Sequence, residues 1–133
     1  FLQTNVIAEA KLYRFIEKER RLQLVFDKNL GRTPLNGISI PMGSYVIKLE
    51  ASDHETLDLP IYIPRGGIHM DKNPHSGMIE PIQLLNKAFL TEQECYVPGG
   101  WSIQGQPNDI INPYRRVWVD SFIMQRFSIT NRE

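Results

Sequence analysis

Residues 44–63 read SYVIKLEASDHETLDLPIYI, and their alternation decides the fold class. Tyr45, Ile47 and Leu49 share one face, while Ser44, Lys48 and Glu50 point the other way. The stretch 51–56, ASDHET, is a loop. Leu57, Leu59, Ile61 and Ile63 then alternate against Asp58 and Tyr62. A period of two is the mark of a half-buried strand. Pro41-Met42-Gly43 supplies a turn ahead of this stretch, and the short run Gly37-Ile38-Ser39-Ile40 precedes the turn. Residues 36–64 therefore predict strand, turn, strand, loop, strand, an antiparallel meander.

The segment upstream, VIAEAKLYRFIEKERRL, admits two readings. As a helix, Ala8, Leu12, Phe15 and Ile16 fall on one face, Glu17 and Arg21 sit four apart, and Asn5 serves as a cap. As strands, Lys11–Glu17 pairs with Arg21–Phe26 across the charged turn Lys18-Glu19-Arg20. Tyr13 and Phe15 then share a face, as do Leu22, Leu24 and Phe26. The residues alone leave both readings open for 8–22.

Downstream, 65–80 (RGGIHMDKNPHSGMIE) reads as a loop, 80–85 (EPIQLL) as a candidate strand, and 86–94 as a connection with one turn. From Tyr96 the texture changes to paired glycines around Trp101 and a polar Asn/Pro-rich stretch. In RRVWVDSFIMQRFSIT, Val117, Val119 and Ser121 oppose Trp118, Asp120 and Phe122. The period predicts one long strand or two strands broken near Asp120-Ser121.

Composition bounds the function. The 133 residues carry 15 Lys+Arg against 15 Asp+Glu, a formal net charge of zero. Binding a nucleic-acid backbone by charge has no support in that balance. Hydrophobic residues make up 41%, enough for a core and too many for global disorder. Cys95 is the one cysteine, which excludes an intramolecular disulfide and a Cys-rich zinc site. No apolar run approaches the roughly 20 residues that span a bilayer as a helix. A start at Phe1 rather than Met, and a stop at Glu133 straight after a strand-like run, predict a piece of a longer polypeptide.

Each candidate chemistry has a plainer counterpart. His69, Asp71 and His75 lie close together, but no His-Glu-x-x-His pattern or regular spacing supports a metal, so a solvated loop is expected. Arg65-Gly66-Gly67 and Gly99-Gly100 complete no phosphate-binding loop and read as turns. Cys95 lies beside Glu92 and Glu94 rather than a base or a positive charge, so its neighbours do not activate it as a nucleophile. No Gly-x-Ser-x-Gly elbow is present. Trp101, Trp118, Tyr114, Phe122 and Phe127, with Arg115, Arg116 and Arg126, form either a stacking platform for a sugar or base, or a core face. Their alternation favours the core. Binding residues, if any, are Trp101, Trp118, Phe122, Arg65 and His69. No catalytic residue, metal or cofactor is expected.

Two stretches resemble known families. LGRTPL, IPMGSYVIKLEA and LPIYIPRGG, at 30–67, resemble the PEGA-type β module, through Gly31, Thr33, Pro34, Leu35, Pro41, Gly43, Tyr45 and Leu49. Ser52-Asp53-His54 stands where that family usually has a glycine. AEAKLYRFIEKERRL resembles the strand and hairpin that open such modules, which tips 8–22 toward β. CYVPGGWSIQGQ and YRRVWVDSFIMQRFSITNRE resemble the start of the formylglycine-generating-enzyme (sulfatase-modifying factor) domain. Val97, Pro98, Gly100, Gly105, Val117, Val119, Asp120, Phe122, Ile123, Thr130 and Asn131 carry that likeness.

The order of the two resembles the C-terminal region of certain bacterial serine/threonine protein kinases. No kinase signature lies in the chain, and the resemblance carries no catalytic residue over. It implies a mainly β fold: a PEGA-like antiparallel β-sandwich over 1–85, a connection at 86–94, and the opening strands of a truncated sulfatase-modifying-factor domain over 95–133. The implied role is a non-catalytic accessory, sensory or interaction module of a bacterial signalling protein, cytoplasmic or envelope-associated. Loops 52–56 and 65–79 would face a protein partner or an adjoining domain, and Trp101, Trp118 and Phe122 would dock the two pieces. The alternatives are the N-terminal fragment of a sulfatase-modifying-factor enzyme, or a carbohydrate or cell-wall binding module.

Overall fold

The computed structural model describes residues 1–67, 69 and 72–128. Those residues form eight strands and no helix: β1 (Glu9–Lys18), β2 (Arg21–Arg32), β3 (Gly43–Glu50), β4 (Leu57–Ile63), β5 (Glu94–Val97), β6 (Gly100–Gln104), β7 (Arg115–Val119) and β8 (Phe122–Gln125). The chain divides into two compact units, one from 1–70 with 81–87 and one from 71–80 with 88–133.

The first unit holds a four-stranded antiparallel sheet in the order β2-β1-β3-β4. In β4 the alternation read from sequence is exact: Leu57, Leu59, Ile61 and Ile63 are buried and the residues between them exposed. Ala10 pairs with Leu49, and Leu49 with Leu57. Leu12 pairs with Ile47, and Ile47 with Leu59. These rungs place apolar side chains on one face, and Leu12 and Leu49 are its most deeply buried large residues. On the other face Val46 is also buried, flanked by its register neighbours Tyr13 and Pro60.

The ambiguous segment 8–22 is a hairpin, not a helix. Lys18 pairs with Arg21, so the turn consists of Glu19 and Arg20 alone, both at positive φ (53° and 59°). That is the left-handed pair that lets a two-residue turn follow the twist of its strands. Tyr13 meets Phe26 edge to face, with centroids 5.7 Å apart. Charge pairs line the same ladders: Lys11 with Glu50, Arg14 with Asp27, Arg32 with Glu9 and Lys48 with Asp58. Asn5 caps no helix. Its side-chain oxygen accepts from the Leu84 N–H at 2.8 Å, and its amide donates to the Leu84 carbonyl.

Two expected strands are absent. Residues 37–40 make no ladder, because Gly37 adopts φ +68° and Pro41 lacks a donor, leaving too short a run between them. Residues 80–85 contribute one parallel bridge, Ile82 to Thr4. Leu35 makes an antiparallel bridge to Leu2.

Thr33 ties these irregular segments to the sheet. Its hydroxyl accepts from the Ala8 N–H at 2.9 Å and lies 2.5 Å from the Thr4 hydroxyl. Thr4 spends its single proton on the Val6 carbonyl, so Thr33 is the donor between the two. Each hydroxyl has one proton to give, and the chain runs Ala8 N–H, Thr33, Thr4, Val6 carbonyl. Both threonines are buried.

The second unit contains two two-stranded ladders, β5 with β8 and β6 with β7. The break expected near Asp120-Ser121 separates β7 from β8. Gly105, at φ +78°, starts the connection from β6 to β7; a Cβ there would clash with the Pro113 carbonyl oxygen.

Candidate functional site

In the first unit the irregular segments leave an open pocket of about 480 Å³ beside the buried face of the sheet. Its floor is Ile47, Ile61 and Ile63, and Leu2 and Leu35 form one wall. The 36–40 segment forms the rim, with Ile38 exposed at its edge. The apolar run that reads as a strand in the sequence thus serves as a wall. Gly67 and His69 close the far side. Phe1 also lines it, its terminal ammonium donating to the His69 carbonyl at 2.9 Å, and Asn36 and Ser39 add polar groups to a lining that holds no Asp, Glu, Lys or Arg side chain. A pocket of this size and mainly apolar lining suits aliphatic or aromatic groups.

The five residues singled out in the sequence are divided between the two units, Arg65 and His69 in the first and Trp101, Trp118 and Phe122 in the second. His69 lines this pocket. Arg65 is exposed on the adjoining turn. Trp101 and Trp118 belong to the second unit, directly opposite each other on β6 and β7. Their rings meet edge to face with centroids 5.6 Å apart. The Arg116 guanidinium lies over Trp101, 4.9 Å from its centroid, and the Trp118 indole N–H donates to Asp120 at 2.9 Å. The pair is thus engaged by its own ladder. Phe122 lies on the other ladder, opposite Val97.

The core reading of the five aromatics does not hold within this unit. Tyr114, Phe122 and Phe127 are exposed, and Trp101 and Trp118 half-buried. Two-stranded ladders are too narrow to cover their own faces.

Of the expected loop histidines, His69 falls in the first unit and His75 in the second, where its N–H donates to the Asn73 side chain. Asp71 lies outside the described residues. Among the described residues no group of three His, Cys, Asp or Glu side chains is placed to hold a metal ion, and no helix is long and apolar enough to cross a membrane. Cys95 is a free thiol on β5, facing Met124 in register. In the 86–94 connection, the Glu94 carboxylate accepts from both the N–H and the hydroxyl of Thr91, which holds its carboxyl below the ordinary value.

The pocket had no signal of its own in the sequence. Its walls come from residues 1, 2, 35–40, 47, 61, 63, 67 and 69, and only the tertiary fold brings these together. Comparison with protein-family models, with curated proteins and with solved structures gives no match.

Proposed function

We propose that this chain is a non-catalytic interaction module of a bacterial signalling protein, a PEGA-like β module followed by the opening part of a sulfatase-modifying-factor-like domain. Its action is presentation. A stiff antiparallel sheet holds the segments 36–40, 52–56 and 65–67 at fixed positions, and a partner polypeptide or adjoining domain docks there.

The observation that carries this reading is the mainly apolar pocket at the rim formed by 36–40. An apolar side chain of a docking segment loses water on entering it, worth about 25 cal/mol per Å² of apolar area. The motif Gly31, Thr33, Pro34, Leu35 supports a structural role for its residues, since Thr33 satisfies the Ala8 N–H and Leu35 pairs with Leu2.

The test is photo-crosslinking in the native host, with benzoylphenylalanine placed at Ile38 on the pocket rim or at Tyr62 on the opposite face of β4. The reading expects a discrete polypeptide adduct from Ile38 and none from Tyr62. No adduct from Ile38, or equal labelling from both, removes the pocket as a docking site.

A further inference from the structure

β2 is an outer strand of the first unit's sheet, with β1 on one side and no strand on the other among the described residues. Its two halves differ. In the half toward Arg32, the pairing with β1 slips twice, between Ala10 and Lys11 and between Leu12 and Tyr13. Leu30 and Asp27 are the extra residues, so the regular edge ends at Phe26, with Asp27 at the bulge that closes it. The half from Arg21 to Phe26 pairs regularly. The opposite outer strand, β4, carries Pro60, which has no N–H to offer a new neighbour. One regular, proline-free edge therefore remains, at 21–26.

That edge is also where the sheet is narrowest. β3 stops pairing with β1 at Arg14, so Phe15–Lys18 and Arg21–Leu24 overhang as a two-stranded ribbon. One face of the ribbon is apolar and open to water: Phe15 is 43% exposed, Leu22 73%, Leu24 40% and Phe26 53%. Ribbons of two strands are marginal unless a further strand or layer joins them.

We propose that this edge pairs antiparallel with the same strand of a second copy of the chain, with Leu24 opposite Leu24 across a twofold axis normal to the sheet. Such an axis keeps each side chain on its own face, so residues can meet only partners of the same face. Three registers then compete. Centred on Gln23, Arg21 meets Val25 and no charges are matched. Centred on Val25, Leu24 meets Phe26 but Leu22 is left without a partner, because beyond the bulge Lys28 pairs with Leu12 on the other face. Centred on Leu24, Leu22 meets Phe26 twice, Leu24 meets itself, Gln23 meets Val25, and Arg21 meets Asp27 twice. This register alone joins every apolar residue of the stripe to another and sets opposite charges at both ends.

Asp27 already faces Arg14 of its own chain at 3.5 Å, so the incoming Arg21 completes an Arg–Asp–Arg cluster. Arg20 would next meet Lys28, but it belongs to the turn and has left the ladder. The pairing does not depend on the pocket reading, since it uses a different part of the sheet.

Sedimentation equilibrium and cysteine trapping on the 133-residue chain test it together. A concentration-dependent dimer is expected. Arg21→Asp or Asp27→Arg alone should weaken it about ten-fold, each of the two symmetry-related pairs contributing a factor of about three. The double swap should restore it to within about three-fold. In a Cys95→Ser background, Leu24→Cys should cross-link under mild oxidation far faster than Phe26→Cys, because directly opposed positions lie within disulfide reach and position 26 faces 22 instead. Overturning results are a monomer at all concentrations up to about 1 mM, a dimer indifferent to either charge reversal, or faster trapping at Phe26. Unchanged amide NMR fingerprints of the variants separate lost association from lost folding.

Discussion

Leu12→Ala is the sharpest probe of the packed face. Leu12 has no exposed surface and lies in register with Ile47, itself opposite Leu59. Truncation removes three buried carbons, a transfer loss of about 2.5 kcal/mol at about 0.8 kcal/mol per group. The surrounding strands are tied by their ladders and cannot fully collapse, so a residual cavity adds about 1–2 kcal/mol. The sum, about 4 kcal/mol, is a large fraction of an ordinary domain's stability. Urea unfolding followed through the backbone amide signals of Ile47 and Leu59 reads it directly. With a slope of about 1.5 kcal/mol per molar urea, the midpoint falls by more than about 2 M. Met42→Ala, at a site 67% exposed, is the control and should move stability by less than about 0.5 kcal/mol. A loss below about 1 kcal/mol for Leu12→Ala, or equal losses for both, refutes the assignment of Leu12 to a close-packed core.

Three other outcomes follow from particular contacts. Thr33→Val leaves the Ala8 N–H without its acceptor and Thr4 without its donor, so chemical denaturation should show a loss of about 1–3 kcal/mol. Glu19→Asn with Arg20→Gly fits the left-handed turn at lower backbone cost and should raise stability by about 1 kcal/mol, read as a higher midpoint with an unchanged slope. The Glu94 carboxyl titrates below its ordinary value of 4.5 because Thr91 donates to the anion, first through its N–H and then through its hydroxyl. The folded-state value is the depressed one, so the contribution is complete above the ordinary value and is lost as pH falls through the lowered one. The Thr91 amide shift should follow that acidic transition, and Glu94→Gln should abolish it.

The sheet was readable where alternation is strict and local. Leu57 to Ile63 alternate without a break, and each apolar position is buried. The segment 8–22 was not decidable from its residues, because Leu12, Phe15 and Ile16 satisfy a helical stripe while Tyr13, Phe15, Leu22 and Leu24 satisfy paired strands. Pairing with β3 resolves it: the rungs Ala10–Leu49 and Leu12–Ile47 bury Leu12, which the helical stripe shares, and Ala10, which that stripe leaves out, while Phe15 is exposed. Gly37-Ile38-Ser39-Ile40 shows the converse failure. Its apolar content is real, but a left-handed glycine and Pro41 deny it a ladder, and it lines a pocket instead.

Of the residues proposed to bind, His69 alone reaches that pocket. The tryptophans pair by cross-strand register, which sequence alternation anticipates for each strand separately but not between them.

Residue-resolved amide hydrogen exchange on the whole chain tests the central claim most directly, namely that paired extended strands with one buried face organise the first unit. The account predicts the slowest exchange in the interior ladders, at Leu12, Ile47 and Leu59, and rapid exchange at the hairpin tip around Glu19 and Arg20. Unbroken protection of every amide from Ala8 through Leu22, the pattern of a continuous helix, would contradict it.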